Sequence, residues 1–212
     1  MKLVEKHAWA TRWAHWVNFP VLFGMIWSGL LIYWANDVYR LGPVHLFPGW
    51  FYDLIGADHA LATGMAAHFV LMWVFTLNGI GYVAYTVGSG AWRELAPDRR
   101  SFGEAWQVVL HDLGLRQELP PQGKYNAAQR ITYSLIVVMG MGSVVTGLAI
   151  YKPVQVAWLT QLLGGYEMAR FFHFWLTMGY MGFFLVHVGQ VIKAGWNNFR
   201  AMVAGFEVAE NG

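Results

Sequence analysis

The sequence predicts an all-α membrane protein: a four-transmembrane-helix bundle with both termini cytoplasmic and a short amphipathic helix on the membrane surface. Three observations carry this reading. Of the 212 residues, 57% are hydrophobic and only 12% are charged, where a soluble domain carries about 25% charged residues. Four apolar stretches, 16–34, 65–87, 131–150 and 171–192, each approach the roughly twenty residues that cross a hydrocarbon core. Third, the cations are unevenly placed. Eleven (Lys2, Lys6, Arg12, Arg93, Arg99, Arg100, Arg116, Lys124, Arg130, Lys193 and Arg200) lie in the tails and the loop between spans two and three. Only Arg40, Lys152 and Arg170 lie on the other side, so loops 36–64 and 151–170 are expected outside.

Composition also excludes. There is no cysteine, which removes disulfides, iron–sulfur ligation and covalent haem attachment through Cys-x-x-Cys-His. A net charge of +2 gives no footprint for nucleic acid. Twelve Trp and ten Tyr suit interfacial aromatic belts.

The elements follow in order. Span one is too long for a signal-peptide core and lacks a small-residue cleavage site, so it is expected to be retained. Loop 36–64 places Tyr39, Phe47, Trp50 and Phe51 among Asp37, Asp53 and Asp58, the composition of a docking patch. After span two, residues 101–119 mix Phe102, Trp106, Val109, Leu110 and Leu113 with Glu104, His111, Asp112 and Arg116, as a surface helix ended by Pro120 and Pro121 would. Spans three and four complete one domain over 1–212, with no evident internal repeat.

His173 and His187 stand fourteen residues apart in span four. That separation turns a helix to about 40° short of four full turns and lifts it about 21 Å, so both imidazoles share nearly one face, one near each membrane surface. Two stacked b-type haems need this arrangement. The orientation gives every histidine a depth: His15 matches His187 near the inner surface, and His68 matches His173 near the outer one. His59, nine residues before His68, faces elsewhere on a helix and remains the alternative ligand. His7, His45 and His111 fall in tail, loop and surface helix as solvated or interfacial side chains. The competing reading of the four is interfacial imidazoles that bond neighbouring helices. Glycines at 24, 29, 140, 142, 147, 179 and 182 would let backbones approach a porphyrin, or one another. Arg12, Arg130, Arg170 and Lys193 flank the histidine depths as candidate propionate partners or plain interfacial charges.

Arg12-Trp13-Ala14-His15-Trp16, Ala67-His68-Phe69, Gly123-Lys124-Tyr125-Asn126-Ala127-Ala128-Gln129-Arg130, the span-four pair, Gly195-Trp196 and Arg200-Ala201-Met202 together mark a resemblance. The chain resembles the four-helix di-haem cytochrome b subunits of membrane-bound formate dehydrogenases, nickel–iron hydrogenases and thiosulfate reductases, in the wider prokaryotic cytochrome b561 group. The resemblance implies two haem b groups, the outer one exchanging electrons with a periplasmic oxidoreductase or iron–sulfur subunit and the inner one with quinone. It implies a quinone pocket beside Asn126, where Gln129 or Tyr125 would assist. The formate dehydrogenase branch has glycine where this chain has Ala128. It also implies a bacterial inner-membrane location. The alternatives are a stand-alone cytochrome b561 oxidising a small reductant such as superoxide, and a non-redox membrane anchor.

Overall fold

The computed structural model describes residues 2–36, 40–41, 44–45, 48–54, 56, 60–121, 123 and 125–209. His59, Lys124 and part of the outer aromatic loop (Asp37, Tyr39, Phe47, Asp58) lie outside the described residues.

The elements run β1 (Lys2–Glu5), α1 (Trp9–Asn36), β2 (Arg40–Leu41), β3 (Val44–His45), α2 (Gly49–Leu54), α3 (Leu61–Gly88), α4 (Trp92–Leu95), α5 (Ser101–Asp112), α6 (Ala127–Tyr151), α7 (Ala157–Leu162), α8 (Tyr166–Ala204) and β4 (Phe206–Ala209). Helices α1, α3, α6 and α8 are the four long and apolar enough to cross a membrane. Each is longer than the apolar stretch that announces it, because polar first and last turns stay helical beyond the hydrocarbon core. The chain packs as two compact units, residues 1–82 with 194–212 and residues 83–193.

In the first unit α1 and α3 run antiparallel. Asn78 donates to the Ala14 carbonyl at 2.9 Å near one end, and Gly64 meets Leu31 near the other. Pro20 sits inside α1, so the Trp16 carbonyl has no N–H to accept four residues on and the helix is loosened just after His15. Strands β1 and β4 pair antiparallel, Lys2 opposite Ala209 and Glu5 opposite Phe206. Lys6 Nζ holds Glu207 at 2.6 Å and Asn198 at 3.1 Å. The sequence reading foresaw no strand here: four-residue strands at the tails carry too little alternation to register. The pairing puts both chain ends on one side.

In the second unit α6 and α8 run antiparallel, with Gly179 against Met139 and Gly142 against Leu176. Thr160 of α7 donates to the Ala149 carbonyl at 3.3 Å. Ala149, Leu159 and Ala169 form a buried cluster. Helix α5 is shorter than the expected 101–119. Gly114 takes φ 73°, and Leu115 N–H reaches back to the Leu110 carbonyl at 2.8 Å. This glycine cap ends the helix before the two prolines are reached. Helix α8 is broken at Gly195, whose φ of 79° and ψ of 178° are open only to glycine. The exposed residues Val70, Trp73, Leu77 and Ile80 form one apolar stripe on α3, the outward face a lipid environment requires.

Candidate functional site

His68, on α3, is oriented by α1. Its Nδ1 lies 2.9 Å from Ser28 Oγ. The Ser28 hydroxyl has one proton, directed to the Gly24 carbonyl at 2.7 Å. With that proton on a carbonyl of its own helix, the oxygen accepts from His68 Nδ1–H, the tautomer that leaves the basic lone pair on Nε2, the atom a metal takes. A Cβ on Gly29 would fall 3.5 Å from His68 Cε1, so the backbone of α1 closes on the imidazole edge.

His173, on α8, is held the same way by α6. Its Nδ1 lies 2.9 Å from Thr146 Oγ1, and that hydroxyl donates to the Gly142 carbonyl at 2.7 Å. A Cβ on Gly147 would fall 3.3 Å from His173 Cε1. Both imidazoles are half-buried. Among the described residues no group of three or more His, Asp or Glu converges as in a protein-caged metal site. Single imidazoles contacted at Nδ1 by a hydroxyl and glycine-lined at the ring edge suit haem ligation through Nε2.

The inner candidates are held by aromatics. His15 meets Trp16 edge-on at 5.1 Å. His187 lies parallel to Phe183, 14° between planes and 5.4 Å between centroids. Arg12 lies one helical turn before His15 and so on the same face. Its Nη1 donates to the Val203 carbonyl at 2.7 Å, its guanidinium packs on Gly205, and its Nε is buried without a hydrogen-bond partner. Arg12 also lines a cleft of about 300 Å³ with Glu5, His7, Trp9 and Phe206. Arg130 is more fully engaged. Its Nε and Nη2 both reach the Ala96 carbonyl, at 3.1 and 2.6 Å, and Nη1 stands 3.8 Å from Asp98. Arg170 faces Glu167 at 3.4 Å and stacks over Tyr166. Lys193 holds Asp112 at 2.6 Å.

Asn126 is the N-cap of α6. Its Oδ1 accepts from Gln129 N–H at 2.8 Å, and Gln129 Oε1 accepts from Asn126 N–H at 3.0 Å, a complete capping box. The cap uses the amide oxygen of Asn126 and the carbonyl oxygen of Gln129. The Asn126 Nδ2 donors take no part in it. Tyr125 stands edge-on to Tyr133.

Sequence reasoning found the histidines and missed what holds them: Ser28, Thr146 and Gly64, and Asn78 bracing the backbone one residue before His15. A serine or threonine inside a helix normally bonds back to its own helix, so nothing in the string marks the two that also face an imidazole. The available signal is spacing from glycine. Each hydroxyl follows a glycine by four residues and precedes another.

Residues 6–205 match the family model for prokaryotic cytochrome b561. A relative from Azospira oryzae, named as a putative protein-methionine-sulfoxide reductase subunit YedZ1, is 30% identical over 185 residues, 85% of this chain and 86% of its own length.

Proposed function

From a chain that belongs to the prokaryotic cytochrome b561 family, a multi-pass haem protein type of the bacterial inner membrane, we propose a di-haem electron-transfer subunit linking quinone to a periplasmic oxidoreductase. His68 and His173 ligate the outer haem b; His15 and His187 ligate the inner one. The observation that supports this reading is the matched setting of His68 and His173, each with Nδ1 2.9 Å from a hydroxyl of the facing helix. An interfacial histidine that merely bonds a neighbouring helix has no need of the same setting in two places. Depth along the spans pairs the four ligands, and the chain acts as one cytochrome b domain.

Each haem, when bound, would supply a one-electron carrier held by two imidazoles. The residues do the rest. Arg12 Nε offers a propionate the donor that the protein leaves unmatched. Arg130 and Arg170 would serve there only by giving up Ala96 and Glu167. Asn126 Nδ2 donates to a quinone carbonyl while Oδ1 keeps α6 capped. The cation asymmetry puts the paired termini in the cytoplasm, so Asn126 and the quinone lie at the inner surface.

The partner docks outside. Trp158 and Leu162 of α7, and Trp50 and Leu54 near α2, are exposed apolar side chains in those loops. The Azospira relative is named as a subunit of a reductase, and a reductase consumes electrons. The favoured direction therefore runs from quinol, through the inner and then the outer site, to a periplasmic reductase.

The test is stoichiometry. Purified protein should give two non-covalent haems per chain by pyridine haemochrome against protein concentration. A ratio near one or zero, or haem that resists acid–acetone extraction, overturns the reading. A haem-loaded chain that brings down no oxidoreductase and is reduced by superoxide is the stand-alone cytochrome; a haemless chain is an anchor.

A further inference from the structure

The two cradles agree well beyond the hydroxyl. Helix α1 reads Gly24-Met-Ile-Trp-Ser28-Gly29-Leu30-Leu31-Ile32-Tyr33, and α6 reads Gly142-Ser-Val-Val-Thr146-Gly147-Leu148-Ala149-Ile150-Tyr151. Glycine, hydroxyl, glycine, leucine, isoleucine and tyrosine recur at identical offsets. Their partner helices read His68-Phe69-Val70-Leu71 and His173-Phe174-Trp175-Leu176. An internal repeat is therefore present after all, too short and too deep in apolar sequence to stand out.

Equivalent residues make equivalent contacts. The first glycine of each copy abuts the leucine three residues after the histidine: a Cβ on Gly24 would lie 2.7 Å from Leu71 Cδ1, and one on Gly142 would lie 3.3 Å from Leu176 Cδ1. The second glycine abuts the imidazole, and the hydroxyl between them bonds it. Four residues before each histidine is a small buried residue, Gly64 in one copy and Ala169 in the other. The facing position compensates in volume, Leu31 against Gly64 and Ala149 in the cluster with Ala169. Within its own unit, each helix pair presents one histidine through the same four contacts. The repeat stops at the inner ligands. Thirteen residues before each hydroxyl stand His15 and Tyr133; fourteen after each outer histidine stand Tyr82 and His187.

Resting on the assignment of His68 and His173 as haem ligands, we infer that Ser28 and Thr146 are matched positioning residues, each of which sets the reduction potential of the haem that its histidine would hold. With its proton on the carbonyl four residues back, each hydroxyl accepts from the imidazole. Accepting from Nδ1–H moves electron density onto the ring and makes Nε2 a stronger donor, which favours the ferric state. Because the residue behind each hydroxyl is glycine, the ring edge lies against bare backbone and its rotation is restricted. The two contributions are equal in kind.

Redox titration of the purified, haem-loaded full chain tests this, with variants Ser28→Ala and Thr146→Val and the exchanges Ser28→Thr and Thr146→Ser. Thr146 shows that the cradle accepts either hydroxyl. Each removal should raise the midpoint of the same one of two haems by about fivefold in its reduced-to-oxidised ratio, the size of one ordinary hydrogen bond; at 59 mV per tenfold for one electron this is about 40 mV. The other haem should stay unmoved. The double variant should add the two shifts, the exchanges should restore the parent value, and the low-spin ferric electron-paramagnetic signal of the shifted haem should move with them. Loss of one haem on removal, restored by the exchange, supports the same conclusion.

Two bound haems with unshifted midpoints, or a haem loss the exchange does not restore, overturns the inference while leaving the ligands in place. If His68→Ala and His173→Ala remove different haems, or neither, the ligand assignment itself has failed.

Discussion

A side chain on Gly64 would begin 2.6 Å from the Cβ of Leu31 and 3.1 Å from the Ser28 carbonyl. Neither obstacle is the free end of a flexible chain, so α1 and α3 touch here at a distance only glycine allows. Gly64→Ala should cost about 1–3 kcal/mol, the range for overpacking a tight contact, and should disturb Ser28 and with it His68. Gly79→Ala, on the same helix and with nothing within 4 Å of its Cβ, is the control. Thermal midpoints in detergent, read with the haem spectrum, check the pair: Gly64→Ala should fall and lose outer-haem absorbance, and Gly79→Ala should do neither.

Asn126 separates by substitution into a cap and a donor. Asp and Ser cap helices about as well as Asn, whereas Ala forfeits about 1 kcal/mol. Asn126→Ala should lower stability and slow quinone-linked reoxidation of the reduced haems. Asn126→Asp should keep the stability, because its carboxylate still accepts from Gln129 N–H, yet slow reoxidation as much, because Nδ2 is gone. Stopped-flow reoxidation by a soluble quinone decides it. A normal rate in Asn126→Asp would reduce Asn126 to a cap.

The end of α5 is tied to α8 by Asp112, which accepts from Lys193 at 2.6 Å and Gln190 at 2.9 Å. Burial pushes the Asp112 carboxyl up, but the bonds from Lys193 and Gln190 and the charge of Lys193 outweigh it, so its pKa is lowered. A depressed carboxyl contributes stability that is complete above the unfolded value, about 3.9, and is lost as pH falls through the folded one. Below about pH 4 the thermal midpoint of the parent should fall more steeply than that of Asp112→Asn. Near pH 7 Asp112→Asn should be the less stable of the two. Parallel curves down to pH 3 would show that the tie contributes nothing.

The ligand assignment has its own signature. His68→Ala and His173→Ala should each leave one haem per chain, and the survivor should be the same, with one α-band and one midpoint. His15→Ala and His187→Ala should each leave the other haem. Visible spectra at low temperature and redox titration of the four variants check this. Any variant that sorts with the wrong pair breaks the depth argument.

The spans and the histidines were legible because lipid makes their chemistry costly: an apolar run of twenty residues and a histidine inside it both stand out. The cap at Asn126 also has a local signal, an Asn three residues before Gln129 at the head of an apolar run, and the two form a capping box. What packs the histidines was not legible. Ser28 and Thr146 do an ordinary in-helix job as well as the second one, and only the fold shows which imidazole each faces. Gly64 is one of many glycines, and its neighbour Leu31 comes from another helix. The end of α5 was misjudged because two prolines are a louder stop than Gly114, although the glycine cap comes first.

The clasp between β1 and β4 has a consequence for biosynthesis. Strand β1 precedes the first long helix and β4 follows the fourth, so the clasp stays open until the fourth helix has been made and threaded into the bilayer. Its closure reports that the fourth helix is in place. A chain stalled or clipped within α8 leaves an unpaired β1 edge beside Lys6, which lacks Glu207. Such an open edge is a feature by which a protease could tell an unfinished copy from a finished one.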